Sequence, residues 1–157
     1  TLGATLPFFH NKRAKIRSTT YKYSGEVNQP SPDNLIEYAM MYLNAPYLWG
    51  GRTPFGIDCS GFTQMVYKLC GIILPRDAYQ QAELGEEVKI GNLKAGDLAY
   101  FHNDSGKITH VGLMLDDENI IHASGKVRID TLDEKGIYNK ELKAYSHQLT
   151  FLKRIID

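Results

Sequence analysis

The 157-residue sequence predicts an α+β domain in which N-terminal helices pack on an antiparallel sheet. Apolar residues recur at helical spacing in two segments between residues 31 and 71. After residue 97, short apolar runs alternate with turn residues, as strands of an antiparallel sheet do. Helices that precede a run of strands, instead of alternating with them, are typical of this fold class.

The first 30 residues differ in composition from the rest, and we predict a domain boundary near residue 30. TLGATLPFF at 1–9 and YKYSGEV at 21–27 suit short strands, and NQPSP at 28–32 suits a linker. We therefore divide the chain into a segment of residues 1–30 and a domain of residues 31–157. The basic residues follow the first apolar patch, the reverse of a signal peptide, and we expect further sequence upstream of Thr1.

The first helix is predicted to begin at Ser31, a favoured N-cap residue, with Pro32 at the first helical position. It should end at the NAP sequence of residues 44–46. Helical spacing predicts a buried stripe of Leu35, Ile36, Ala39, Met40 and Leu43.

The second helix is predicted to begin at Cys59 after a Gly- and Pro-rich loop, with Asp58 as N-cap and Gly71 as its stop. Its buried face should carry Cys59, Phe62, Val66 and Leu69. Cys70 would then lie roughly 16 Å from Cys59 along the helix, beyond the ~7 Å that a disulfide allows. The two cysteines are therefore expected to be unpaired.

Five strands are predicted in the second half of the chain, separated by the turn sequences NDSG at 103–106 and DDEN at 116–119. They are Asp97–His102, Ile108–Leu115, Asn119–Ala123, Val127–Ile129 and Leu149–Ile156.

Composition excludes several classes of partner. Eighteen basic and eighteen acidic residues give a formal net charge of zero, which offers no electrostatic footprint for nucleic acid or an anionic membrane. No apolar run is long enough to span a bilayer, and no phosphate-binding glycine motif is present. Cys59, His110 and His122 are metal-ligand types, but no C-x-x-C or H-E-x-x-H pair accompanies them, so we predict neither a metal nor a cofactor.

Cys59 is a candidate nucleophile because the first turn of a helix stabilises a thiolate through unpaired N–H groups and the helix dipole. The same N–H groups can hold an oxyanion. The position also suits a small buried core residue.

Two histidines on consecutive predicted strands are candidates for a base and the group that orients it. These are His110 in ITHVGLML and His122 in NIIHAS, although histidines flanked by apolar residues also suit a core. We interpret His10 and His147 as surface residues. His102 could lie near the site, but an ordinary structural position is the favoured interpretation.

The turn between these two strands decides whether the histidines meet. If Leu115 lies opposite Asn119, His122 falls on the same face of the sheet as His110. A shift of one residue would place it on the other face. Contact between the rings therefore requires a loop with an odd number of residues, such as 116–118, or a bulge.

Several segments, in order, resemble the signature of NlpC/P60 cysteine peptidases. They are YLWGG at 47–51, GIDCSGF at 56–62, LPRD at 74–77, LKAGDL at 93–98, THVG at 109–112 and IHA at 121–123. The resemblance covers about residues 33–156. It implies a papain-like fold and a catalytic triad of Cys59, His110 and His122.

The resemblance also implies roles in the cleft for residues around the nucleophile. Tyr47 matches a tyrosine near the oxyanion, Trp49 matches an aromatic cleft wall, and Asp58 and Ser60 match substrate contacts. Each residue also has a structural alternative. Tyr47 could pack beside the helix, Trp49 could lie in the core, and Asp58 could only cap the helix.

Two charged residues follow the second helix at positions where the family lines its cleft. These are Arg76 and Asp77, for which a solvated ion pair is the alternative. The family often has Ser or Thr where Ala78 stands, which weakens any polar contact there.

Residues 1–30 resemble the tail of a bacterial SH3-type module. The subgroup with such modules implies hydrolysis of the γ-D-Glu–diamino acid bond in wall peptides with a free N-terminal L-Ala. The missing upstream region, in cis or as a separate chain, is then an expected partner. The alternatives are an acyltransferase or another amidase on the same fold, or a non-catalytic wall-binding protein, against which the complete Cys-His-His set argues. The expected location is the bacterial cell envelope, periplasmic or secreted, with the cytoplasm as the alternative.

Overall fold

The computed structural model describes residues 2–25 and 31–156. Its helices are α1 (Leu35–Met40), α2 (Cys59–Leu69) and α3 (Ala78–Gln81), with single 3-10 turns at Pro32–Asn34 and Ile90–Asn92. The strands before residue 90 are β1 (Arg13–Ile16), β2 (Thr19–Lys22), β3 (Arg52–Thr53), β4 (Gly56–Ile57) and β5 (Glu86–Val88). The later strands are β6 (Leu98–His102), β7 (Ile108–Met114), β8 (Asn119–Ser124), β9 (Lys126–Asp133), β10 (Gly136–Asn139) and β11 (Ala144–Arg154).

The main sheet is antiparallel and has the order β10-β9-β8-β7-β6-β11-β5. Strand β10 also pairs with β11, so the strands from β6 to β11 close on themselves. Helices α1 and α2 precede this sheet and pack on its outer face. The predicted α+β class, with N-terminal helices on an antiparallel sheet, is confirmed.

Two apolar cores lie on opposite faces of the central strands. The outer core joins the helices to residues such as Tyr100, Val111 and Ile121. The inner core lies within the closed strands and includes Phe101 and Met114. Burial on both faces explains why β6 to β8 are nearly continuous apolar runs in the sequence.

Helix α1 is shorter than predicted, and a different face is buried. Ser31 precedes Pro32 as expected, but its side chain makes no capping hydrogen bond, and the first residues form the 3-10 turn. Met40 and Leu43 are exposed, whereas Tyr38 and Tyr42 are buried beside Leu35 and Ala39. The prediction passed over these tyrosines, whose rings bury more apolar surface than the two aliphatic side chains.

Helix α2 begins and ends as predicted. The carboxylate of Asp58 accepts a hydrogen bond from the Gly61 N–H at 2.7 Å, and Gly71 has a φ of +87° beyond the helix. Cys59 and Cys70 are both free, as the helical spacing predicted.

The hairpin of β7 and β8 has the register that a contact between His110 and His122 requires. The Leu115 N–H donates to the Asn119 carbonyl at 2.8 Å, which leaves residues 116–118 as the loop. The Asp116 carboxylate accepts from the backbone N–H groups of Glu118 and Asn119 and thereby fixes this loop.

Other strand predictions were too short or absent. The predicted strand Val127–Ile129 is the middle of β9, which continues to Asp133. The last predicted strand, Leu149–Ile156, is the second half of β11, and neither β5 nor β10 was predicted. The residues of β5 and of the first half of β11 are mostly exposed and carry little apolar alternation, and β10 is a short strand of four residues.

In the N-terminal segment, the described residues form one small hairpin of β1 and β2. Residues 2–9 are not a strand, and only Tyr21 and Lys22 of the second predicted strand lie in β2, so these predictions were largely wrong. Thr1, the end of the second predicted strand, the first part of the linker and the proposed boundary lie outside the described residues. Lys68 of α2 donates to the Gly3 carbonyl at 3.0 Å, which joins the segment to the domain.

Candidate active site

The candidate site is a cleft of about 530 Å³ between the start of α2, the segment before α3 and the beginning of β7. The structure places seven of the predicted site residues in its lining, namely Tyr47, Trp49, Asp58, Cys59, Ser60, Arg76 and Asp77. His110 and His122 lie behind this lining on the inner face of the sheet.

The Cys59 thiol lies against the backbone of β7. Its sulfur is 3.9 Å from the Thr109 carbonyl oxygen, and the Val111 N–H points at it. These two backbone groups flank His110 in the sequence. A β-bulge in β7 makes this contact, because Phe101 pairs with His110 while the next residue of β6 pairs with Ile108. Thr109 is the extra residue.

Burial raises the pKa of the Cys59 thiol, and the neighbouring Asp58 carboxylate adds to that effect. Hydrogen bonds from the backbone N–H groups of Val111, Ser60 and Cys59 act in the opposite direction without outweighing it. The position of Cys59 in the helix predicted a lowered pKa for its thiol, and this prediction is wrong for the resting site. Desolvation is the larger effect on a thiol that is only 7% exposed.

His110 and His122 are in contact, as the odd-length loop predicted. His110 Nε2 is 2.8 Å from His122 Nδ1, and both residues are buried. Gly112 lies directly opposite His122 and has no side chain to occupy the space that His122 fills. Burial, followed by the neighbouring His122 and His147, lowers the pKa of His110 well below its usual value. The imidazole is thus neutral near pH 7.

His147 was predicted to be a surface residue, and this prediction was wrong. Its half-buried ring stacks on His110, with centroids 4.1 Å apart and planes 22° apart. Burial, followed by His122, lowers the pKa of His147 to about 4. The contact arises because β11 closes the sheet, a pairing that local sequence does not encode. His102 instead contacts Thr150 at 2.8 Å, and His10 is exposed as predicted.

Two functional candidates on β9 were missed in the sequence. His122 Nε2 is 3.0 Å from Asp130 Oδ2, and the Arg128 guanidinium donates to both oxygens of that carboxylate at 2.6 and 3.0 Å. Arg128 pairs across the strands with His122, and Asp130 is two residues further on the same face. The predicted strand ended at Ile129, and extending it by one residue would have brought Asp130 to this face.

Asp58 has two roles at the start of α2. Besides capping the helix, it accepts from the Gly50 N–H at 2.7 Å and forms an ion pair with Arg76. Arg76 also donates to the Ser60 hydroxyl at 2.9 Å. Burial opposes ionisation of Asp58, but the hydrogen bonds from Arg76, Gly61 and Gly50 outweigh it and lower the pKa. The sequence offered an ion pair between Arg76 and Asp77 as an alternative, and in the structure Arg76 pairs instead with Asp58.

The remaining predicted residues line the cleft. Tyr47 lines the same cleft as Cys59, and burial and then Cys59 raise the pKa of its phenol. Trp49 is 85% exposed at the rim, which excludes the core alternative. Asp77 is the N-cap of α3 in a capping box with Gln80.

Six further residues line the cleft that lay outside the predicted site, namely Gly50, Ala78, Tyr79, Lys107, Ile108 and Thr109.

His110, His122 and His147 could bring ring nitrogens within 4.8 Å of one another. The near-parallel stack of His110 and His147 does not suit a shared metal ion, because nitrogen lone pairs lie in the ring planes. His110 and His122 already use one nitrogen each on their mutual hydrogen bond. The arrangement favours a proton relay over a metal centre.

A helix-borne cysteine lies against the backbone of a strand that carries one of two paired histidines, and the helices pack on an antiparallel sheet. This arrangement is that of a papain-like cysteine peptidase fold. The chain belongs to the NlpC/P60 family, whose model matches residues 44–146.

Two relatives carry the same name, gamma-D-glutamyl-L-lysine dipeptidyl-peptidase. The protein from Bacillus subtilis is 44% identical over 117 residues, covering 71% of this chain and 39% of the relative. The protein from Bacillus cereus is 41% identical over 111 residues, covering 69% of this chain and 33% of the relative. The chain thus matches well under half the length of these relatives.

A solved structure has the same fold. The crystal structure of an NlpC/P60 family protein from Bacillus cereus superposes with a TM-score of 0.69 and 33% identity, covering 88% of this chain and 45% of that one. Within residues 2–25 and 31–156, the structure contains no helix with the length and apolar character needed to cross a membrane.

Proposed function

We propose that this chain is a cysteine peptidase domain that hydrolyses the bond between γ-D-glutamate and the diamino acid of bacterial cell-wall peptides. The observation that carries the proposal is the Cys59 thiol, which lies in the cleft against the strand of His110 while His110 contacts His122. The names of the two Bacillus relatives support the γ-D-glutamyl bond and make L-lysine the first diamino acid to test.

In the proposed acylation step, His110 removes the proton of Cys59 as the sulfur attacks the γ-carbonyl carbon of D-glutamate. Nε2 of His110 is engaged with His122, so Nδ1 is the nitrogen that acts as base. Backbone N–H groups at the start of α2 stabilise the oxyanion. The imidazolium then returns the proton to the amine of the diamino acid, which leaves as the C–N bond breaks and a thioester remains.

In the deacylation step, water attacks the thioester carbon while His110 accepts a proton from it. The C–S bond breaks, the peptide acid is released, and the proton returns to the Cys59 sulfur. Both partners thus end as the neutral thiol and imidazole that burial favours in the resting site.

The other cleft residues are proposed to bind the peptide. Tyr47 lines the same cleft as the thiol and is proposed to contact the oxyanion, and Trp49 forms the rim. Ser60 and Asp58 are held by Arg76 at one side of the thiol, and Asp77 continues that side towards α3.

We further propose that residues 1–30 are the end of an SH3-type module and that a longer chain, or a separate one, completes the cleft. A wall-peptide substrate places the site of action in the bacterial cell envelope, periplasmic or secreted.

The test is to incubate the protein with L-Ala-γ-D-Glu-L-Lys and with its diaminopimelate counterpart, and to identify products by mass spectrometry. We expect L-Ala-D-Glu and the free diamino acid from at least one peptide, and none from the Cys59→Ala variant. No cleavage of either peptide, or equal cleavage by Cys59→Ala, would contradict the proposal. Transfer of the dipeptide to an added amine without hydrolysis would instead indicate an acyltransferase.

A further inference from the structure

A buried carboxylate lies directly behind the histidine pair. Asp130 is 4% exposed, and its Oδ2 atom is shared between His122 Nε2 at 3.0 Å and Arg128 Nε at 2.6 Å. Arg128 also donates through Nη2 to Oδ1 at 3.0 Å. We propose that Asp130, held by Arg128, is a positioning residue that determines which ring nitrogens of His122 and His110 carry protons. The inference rests on the proposed function, in which His110 is the base.

The protonation pattern follows from the hydrogen bonds. Burial would raise the pKa of Asp130, but hydrogen bonds from His122 and Arg128 outweigh it and lower the pKa, so the group is a carboxylate that only accepts. His122 Nε2 must then carry the proton of its hydrogen bond to Asp130, and we assign the lone pair of that ring to Nδ1. His110 therefore donates from Nε2 and keeps its own lone pair on Nδ1. That nitrogen is the one required to take the proton of Cys59.

Arg128 is needed for this arrangement because an isolated carboxylate at this depth would be costly. Its guanidinium contacts both oxygens of Asp130 in the paired geometry that favours the charged form. When His110 becomes an imidazolium during catalysis, the fixed negative charge of Asp130 offsets the new positive charge through His122. Asp130 contacts neither the thiol nor the cleft, so it acts only through His122.

The first experiment measures the ring tautomers in the wild-type protein without any substrate. Histidine labelled with ¹⁵N should show, at pH 7, that His122 and His110 are both protonated on Nε2 and unprotonated on Nδ1. His122 protonated on Nδ1 would overturn the proposal, whether or not the peptide is cleaved. This measurement depends on neither a variant nor the proposed substrate.

The second experiment uses Asp130→Asn, because the side-chain amide can donate to His122 Nε2 and reverse both tautomers. We expect kcat to fall on the order of 10²-fold, less than the ~10⁴-fold seen when an orienting carboxylate that touches the base directly is changed to Asn. KM should stay within about twofold, since no cleft contact is lost. The rate of Cys59 alkylation by iodoacetamide should fall and its pH profile should move, which a purely structural role would not cause.

Glu141→Gln is the matched control, because Glu141 contacts the same Arg128 at 3.2 Å from the solvent side without touching Asp130. Its kcat and alkylation profile should equal those of the wild type. Wild-type kcat and an unchanged alkylation profile in a folded Asp130→Asn protein would overturn the proposal. If that variant fails to fold, the wild-type tautomer measurement decides.

Discussion

At the scale of single residues, the resting site holds a neutral thiol against the backbone of the strand that carries the neutral imidazole of His110. Burial raises the pKa of Cys59 and lowers that of His110, so each residue resists the charge that the other would give it. Nucleophilicity must therefore be produced during the reaction, by proton transfer to His110, instead of being stored in a preformed thiolate. For activation of the thiol, the orientation of the two histidines then matters more than the helix dipole on which the prediction from the sequence relied.

Iodoacetamide should label Cys59 faster than Cys70. Burial raises the pKa of Cys70 to about 11, and Cys70 lies in the outer core, whereas Cys59 opens into the cleft beside the strand of the proposed base. The measurement is peptide mapping of alkylated protein near pH 7 over time, with His110→Ala as the variant that should slow Cys59 alone. Equal, slow labelling of both cysteines would remove Cys59 from the role of nucleophile.

His147 should make the fold sensitive to mild acid. Its folded-state pKa of about 4 is below the ordinary histidine value, so the unfolded chain binds a proton first as pH falls. Its contribution to stability is complete above about pH 6.5 and is lost between that value and about 4. We expect the Tm of His147→Gln to fall less than that of the wild type when the pH is lowered from 7 to 4.5.

Thermal unfolding followed by circular dichroism measures this difference. His10→Gln is the matched control, because it makes the same substitution at an exposed histidine outside the stacked pair. Parallel pH profiles for the wild type and His147→Gln would show that the stacked ring does not resist protonation.

At the scale of elements, the β7–β8 hairpin sets the distance between the two histidines. The three-residue loop fixes the register, and Gly112 opposite His122 makes room for the imidazole. A Cβ atom at Gly112 would lie 2.9 Å from the Cβ of His122 and 2.6 Å from the Ile120 side chain. The atom of His122 is close to the backbone and has no flexible end that could yield.

Gly112→Ala should therefore lower kcat by more than tenfold, since a displacement of about 1 Å at a catalytic group can cost 10²-fold. Its Tm should also fall because the strands must separate. Gly91→Ala is the control, since a Cβ there meets no atom within 4 Å. Wild-type kcat in Gly112→Ala would show that the hairpin tolerates the shift without moving His122.

The elements that sequence predicted well are those with local signals. Asp58, Cys59 and Gly71 define helix α2 through capping, apolar spacing and a stop, and all three are local properties. The bulge at Thr109 and the closure of the sheet by β11 depend on pairing between distant strands. His147 was misread for that reason, since its position is set by β10 and β6 and its own neighbours are polar.

At the scale of the whole molecule, the cleft lies beside the start of β7, whose first residues Ile108 and Thr109 line it immediately before His110. The cleft opens between the helices and the edge of β7, while His110, His122 and Asp130 lie on the inner face. Asp97 in the LKAGDL segment accepts two hydrogen bonds from Arg154 at 2.8 and 2.7 Å, which joins the start of β6 to the end of β11. This aspartate stabilises the closure and is not part of the cleft lining.

The final prediction concerns selection for a free amine at the start of the substrate. An ammonium group needs a carboxylate with unused acceptor capacity. Asp58 already accepts from Arg76, Gly50 and Gly61, so Asp77 is the one other carboxylate in the described lining of the cleft. This chain alone should therefore hydrolyse L-Ala-γ-D-Glu-L-Lys and its N-acetyl form with kcat/KM values within about tenfold, or ~1.4 kcal/mol, of each other.

A chain extended at its N-terminus by an SH3-type module should prefer the free amine more strongly, because the module would supply the missing acceptors. Steady-state kinetics on both peptides with both chains makes the comparison, and Asp77→Asn should abolish whatever preference the shorter chain has. Discrimination above about 100-fold by the shorter chain would show that these residues complete the amine site without a module.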